Sequence, residues 1–405
     1  MTETRTPTTE ATGTTGTGTT HAIDTATITE ILPDDELLRH DRRDRALAAM
    51  TAAGVDVLVL GREANARYVS GVPRLWLAGT RPVGASCVLV RESGAIHLLT
   101  TWDEGVPDDI PREHLYGYTF NPRNMLEVLR SIDGAQGFHT VATDGLSSGA
   151  VDLMGRAFPA ADIVDGDELM RHVRSVKLPA EVDAIRAAVG IAERSLHVAA
   201  AAVVPGTTER KVTGTFMETM GGQGICMPSV QDVAWATSPS HPWRRAGRDA
   251  PIPAGALVAL EGGVMLDGYD GELGRTVVAG GAEHRTPEVD ALIRRRDELW
   301  HRLVDVCRPG APLAELLRVY EDADVPAPPR PVAFGLGLGF DAPLVSTELP
   351  RSAADEQFEE GMVMALASYV WQEGVGAAFG EEPVVITDGG AELLSSTPFV
   401  DGGDG

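Results

Sequence analysis

Residues able to do chemistry fall in a few places along the 405-residue chain. His241 sits in the run Ser238-Pro239-Ser240-His241-Pro242-Trp243 and is the candidate proton carrier. An imidazole with an ordinary pKa of about 6.5 suits general acid–base work near neutral pH. The bland alternative is a histidine in a surface loop. Trp235 and Trp243 flank it, as core or as stacking surfaces. Carboxylates come from Glu261, Glu272 and Glu381, and Arg275 follows Glu272 closely enough to pair with it as scaffold. Toward the N-terminus, Arg67, Tyr68, Arg74, Trp76 and Arg81 cluster in a short stretch. Arg74 or Arg81 would suit a substrate carboxylate held bidentately. Gly335, Gly337 and Gly339 form Gly-x-Gly-x-Gly, but no Gly-Lys-Ser/Thr follows, so they are weak evidence for a nucleotide loop.

These groups need a scaffold, and the composition supplies one: 43% of residues are hydrophobic. The formal charge of −25 leaves no basic stripe for nucleic acid and nothing to attract an anionic membrane. No apolar run reaches the ~20 residues of a spanning helix. Cys87, Cys226 and Cys307 are scattered without CxxC spacing, as expected of a cytoplasmic protein rather than a disulfide framework. Residues 1–30, nearly all Thr, Gly, Ala and Glu, read as a disordered tail. From 31 to 173 the pattern is α/β: a helix over 35–53, strands at 57–60, 87–90 and 96–99, a helix at 122–132 and a strand at 140–142. Alternation of this kind predicts a three-layer domain. From 174 to 405 a long helix opens at Pro179, where a missing N–H costs nothing, and a second helix starts after Pro205-Gly206. Strands follow at 233–237, 256–260, 275–279, 362–369 and 383–387, with helices at 300–306 and 313–320. The second domain is therefore α+β.

The second half resembles the M24 family of creatinase, aminopeptidase P and prolidase. The motifs are Val176-Lys177-Leu178-Pro179-Ala180-Glu181, Gly268-Tyr269-Asp270-Gly271-Glu272-Leu273-Gly274-Arg275-Thr276, the glycine loop 335–339, Gly361-Met362-Val363 and 381–387, all in the family's order. Asn65-Ala66-Arg67-Tyr68-Val69-Ser70-Gly71 is similar to the N-terminal domain of creatinase-type members. The resemblance implies an α+β fold: a C-terminal pita-bread domain preceded by a three-layer α/β creatinase-type domain. It also implies a homodimer, with the Arg74 and Arg81 region reaching a partner's pocket.

Family peptidases hold two divalent ions with two aspartates, a histidine and two glutamates. Carried over position by position, the aspartate places hold Glu261 and Glu272, the histidine place Leu336, and the glutamate places Ala367 and Glu381. Two positions have no donor atom, so no working dimetal centre and no cofactor are expected. Creatinase-type chemistry does without metal, and its active-site histidine falls near His241. The expected protein is a metal-independent hydrolase or lyase cleaving a C–N bond in a small amino or guanidino metabolite. Its catalytic set would be His241, Glu261, Glu272 and Glu381. Arg74, Arg81, Arg275, Leu336 and Tyr269 would bind substrate. Three crowded carboxylates require protons, Arg275 or a cationic group on the ligand. A non-catalytic binding protein and a residual one-metal peptidase are the alternatives.

Overall fold

The computed structural model describes residues 35–72, 86–99, 105–117, 121–244, 249–347 and 356–397. The proposed tail over 1–30 and both Arg74 and Arg81 lie outside the described residues.

The first unit runs α1 (Asp35–Ala53), β1 (Val57–Leu60), α2 (Glu63–Ser70), β2 (Cys87–Val90), β3 (Ile96–Leu99), β4 (Leu115–Tyr116), α3 (Pro122–Ser131), β5 (Thr140–Asp144), α4 (Ser148–Ala157), β6 (Asp162–Asp165) and α5 (Asp167–Ser175). Its six strands lie in the order β4-β3-β2-β1-β5-β6. Every residue of β1 and β2 is buried, as expected of strands covered on both faces. Asn121 and Ser147 cap α3 and α4 by accepting backbone N–H bonds.

The second unit begins with α6 (Pro179–Ala201) and α7 (Glu209–Gly222), then β7 (Ala234–Ala236), β8 (Leu257–Leu266), β9 (Tyr269–Val278), α8 (Pro287–Val306), α9 (Glu315–Asp322), β10 (Ala333–Gly337), β11 (Gly339–Val345), β12 (Val363–Gln372), β13 (Gly376–Thr387) and β14 (Gly390–Leu393). The sheet order is β11-β10-β12-β13-β9-β8-β7, with β14 on β13. Its named pairings are antiparallel. Helices α6 and α7 pack on β8 and β9, whereas α8 and α9 share a core with β12 and β13.

Two departures from the sequence expectations matter. Strands expected at 256–260 and 275–279 are the ends of one long hairpin. Its two-residue turn is Asp267-Gly268, with φ of 46° and 83°, and Asp-Gly is favoured where both central residues need positive φ. The helix expected at 300–306 begins instead at Pro287, capped by Thr286. Val289, Leu292, Ile293, Arg296, Leu299, Trp300 and Leu303 keep a helical stripe buried, but Arg296 breaks its apolar reading.

Polar side chains join the units. Tyr269 is buried, and its hydroxyl donates to Glu181 at 3.0 Å and accepts from Arg42 at 2.7 Å. Asp341 receives Arg174 and the buried ammonium of Lys177, the latter at 3.3 Å.

Candidate active site

Strand register assembles the centre of the second sheet. Glu261 on β8 pairs with Gly274 on β9, Gly274 pairs with Glu381 on β13, and Glu381 pairs with Ala367 on β12. One row thus reads Glu261, Gly274, Glu381, Ala367 across four strands. Glu272 stands two residues from Gly274, so the period of two puts it on the same face. Its own partner on β8 is Gly263. Glycine opposite each carboxylate of the hairpin leaves room for the acid. A Cβ on Gly274 would overlap the Phe379 ring and lie 3.0 Å from the Glu381 Cβ.

Carboxylate oxygens of Glu261, Glu272 and Glu381 lie within 4.8 Å of one another. Glu381 is 0% exposed and Glu272 7%. The cation among them is Arg330, from the segment Pro328-Pro329-Arg330-Pro331 that leads into β10. Its Nη1 donates to Glu261 Oε2 at 2.8 Å and its Nη2 to Glu261 Oε1, a bidentate pair. Nη2 also donates to Glu381 Oε2 at 2.9 Å. The guanidinium carbon stands 5.3 Å from the centre of the Phe379 ring, within cation–π range.

Burial pushes the Glu381 carboxyl up to about 8, against the opposing pull of Arg330. Glu272 is raised well above the ordinary range by burial and by the charges of Glu381, Glu261 and Asp270. Buried Asp270 is pushed up to about 6, chiefly by burial. Neighbouring acids in a largely buried site cannot all ionise, so the cluster holds protons as well as Arg330.

Glu261 and Glu272 face a cavity of about 470 Å³ whose lining also includes Asp232, Arg330, Trp235, Trp243, Tyr369 and Phe379. Trp235 packs on Phe379 with centroids 5.4 Å apart, and Trp243 on Tyr369 at 5.0 Å.

The other expected site residues stand elsewhere. His241 is exposed on a tight turn where Ser238 pairs with it, and its Nδ1 accepts the Trp243 N–H at 3.1 Å. It is absent from the cavity lining, because the turn sends Trp243 and Arg244 inward instead. Arg275 does not pair with Glu272. It is buried against Glu382 at 2.7 Å and also donates to the Thr397 carbonyl. Leu336 is 0% exposed within the core shared by the two units, and Phe334 of the same strand lines the cavity. Tyr269 serves the contact between units, as described above. Arg330 escaped the sequence reading. Its one local signal was a single basic residue locked among three prolines just before a strand.

The family pattern described as Metallopeptidase family M24 matches residues 183–388, and that of the Creatinase/Prolidase N-terminal domain matches residues 42–176. An Xaa-Pro dipeptidase of Pyrococcus horikoshii is 21% identical over 364 residues, 89% of this chain and 98% of that protein. Among solved structures, the X-Pro aminopeptidase of Thermotoga maritima superimposes with a TM-score of 0.72 at 18% identity, covering 87% of this chain and 99% of that one. Dipeptidase PepE of Mycobacterium ulcerans gives 0.70 at 22% identity, covering 91% and 98%.

Proposed function

The chain belongs to metallopeptidase family M24, and from that premise we propose that it is a hydrolase of a small C–N-bonded substrate that works without the family's two ions. The observation that carries this reading is the Arg330 guanidinium bound to Glu261 and Glu381. The residues do not fit a metal pair. Leu336 and Ala367 offer no donor atom, and both oxygens of Glu261 and one of Glu381 already hold an organic cation. The Pyrococcus relatives are Xaa-Pro dipeptidases, and cleavage of such dipeptides is amide hydrolysis, so the bond class transfers more readily than the cofactor.

The chemistry this allows uses the carboxyl pair. Glu272 lines the cavity and Glu381 lies dry behind it. With one proton held on Glu381, ionised Glu272 accepts a proton from water as the water oxygen bonds to the substrate carbon. Glu272 then returns that proton to the leaving nitrogen as the C–N bond breaks. The pair ends with the proton it started with. Arg330 pairs with both oxygens of Glu261 and limits the charge of the cluster. The His241 role does not enter, since the imidazole is exposed and off the lining. A cavity with no histidine among the described residues of its lining favours a second reading, a binding protein that keeps the fold without turnover. A cytoplasmic homodimer belongs to the proposal; among the described residues no helix is long and apolar enough to cross a membrane.

Elemental analysis of the purified protein, beside hydrolysis of Xaa-Pro dipeptides and simple amides with and without chelator, tests this. Metal-free protein with chelator-resistant turnover supports the hydrolase. Metal-free protein that binds small molecules but turns none over supports the second reading. Stoichiometric metal and chelator-sensitive turnover overturn both.

A further inference from the structure

The face of the sheet opposite the acids carries a second set of charges. Arg275 alternates with Gly274 along β9 and so projects away from the cavity face. Its Nη1 donates to the Gly274 carbonyl at 2.8 Å and to the Glu381 carbonyl at 3.3 Å. Those carbonyls belong to two neighbours in the acid row. The same guanidinium pairs with Glu382 at 2.7 Å and, through Nη2, donates to the Thr397 carbonyl at 3.2 Å.

Thr397 is brought there by a segment tied down residue by residue. The Leu394 N–H donates to the Pro383 carbonyl at 2.9 Å, and the Ser395 hydroxyl to Glu382 at 2.7 Å. Glu193 of α6 accepts the backbone N–H of Ser396 at 3.1 Å and of Thr397 at 2.6 Å, and both of their hydroxyls. Burial raises the Glu193 carboxyl, but these bonds outweigh it and bring it below the ordinary range. Glu193, Arg275 and Glu382 are all buried, so water does not readily replace a bond lost from the set.

We infer that Glu193 is a positioning residue for the acid row: it holds segment 395–397 against Arg275, and Arg275 fixes the backbone that carries Gly274 and Glu381. The inference rests on that row being the working part of the site. An anchor for a stretch of chain could bond any backbone. Here the contacts end on the two residues whose placement lets Glu381 meet Arg330.

Double-mutant cycles on the full-length protein, read as free energies of unfolding in denaturant, separate positioning from anchoring. Glu193 and Arg330 serve opposite faces of the sheet, and changes at sites so separated ordinarily add. Glu193→Ala and Arg330→Met are each expected to lower stability. The double variant is expected to lose less than the sum, because Glu381 no longer stands where Arg330 reaches it. Leu303→Ala, a core truncation on α8, is expected to add with Arg330→Met. Glu193→Gln, which keeps an acceptor oxygen, is expected to fall between wild type and Glu193→Ala in its cycle. Additive losses for Glu193→Ala with Arg330→Met overturn the inference, as does the same shortfall with Leu303→Ala. Should Glu193→Ala not fold, the cycle with Glu193→Gln decides by the same criterion; should Arg330→Met not fold, Glu381→Gln takes its place. Turnover is not read, so a protein that hydrolyses nothing leaves this inference standing, and additive losses leave the hydrolase reading untouched.

Discussion

At the scale of single residues, the site is a problem in counting charge. Three acids and one guanidinium share a largely buried corner of the cavity wall, and the surplus acid groups settle by holding protons. That has a signed consequence for stability. Glu381 is raised from 4.5 to about 8 and Asp270 from 3.8 to about 6, chiefly by burial in each case. The native state therefore binds more protons than the unfolded chain between those limits, and stability falls as pH rises through them. The melting temperature is expected to drop from about pH 5 to pH 8. In Glu381→Gln, which mimics the protonated acid, the drop is expected to shrink and the protein to melt higher than wild type at pH 8. A thermal scan across pH checks this; identical slopes for the two proteins would place the titrating groups elsewhere.

At the scale of elements, the Asp267-Gly268 hairpin and its register with β13 do the assembling. Gly274 is the hinge of that arrangement, since it stands between Glu261 and Glu381 in the row and has no side chain. Gly274→Ala sets a methyl against Phe379 and the Glu381 Cβ. Overpacking of this kind costs about 1–3 kcal/mol, and here it also pushes apart the acids that Arg330 bridges. Denaturant unfolding is expected to show that loss. The same change at Gly281, where nothing lies within 4 Å of the added Cβ, is a control for the steric effect; its φ of 71° leaves only the backbone cost. The motif around Glu272 was visible in the sequence as a motif, but not as the middle of a strand. Polar and glycine residues there obscure the period of two, because this face lines a cavity rather than a core.

At the scale of the molecule, the two units are pinned by buried polar groups. Asp341 answers Arg174 and Lys177, and the Tyr269 hydroxyl links Arg42 of the first unit to Glu181 of the second. Asp341→Ala leaves the fully buried Lys177 ammonium without its carboxylate. Breaking a buried pair by removing one partner costs about 3–5 kcal/mol. The denaturation midpoint is expected to fall accordingly. Asp341→Asn, which retains a hydrogen-bond acceptor, is expected to lose less. Equal midpoints for wild type and Asp341→Ala would mean that the contact between units contributes little to stability.

Most of the architecture was legible because it rests on local signals: Pro179 opening α6, the apolar runs of β1, β2 and β3, and the ordered motifs of the second half. The donor-free positions Leu336 and Ala367 were legible for the same reason, since residue type alone removes a ligand. Tertiary structure decided the rest. It sent His241 outward on a turn, tied Arg275 to Glu382, and drew Arg330 from a proline-rich connection into the acids 51 and 69 residues away along the chain from Glu381 and Glu261. Which cation answers a buried carboxylate depends on the path of the backbone and on what else competes for the guanidinium. Neither is written in the spacing of the residues themselves.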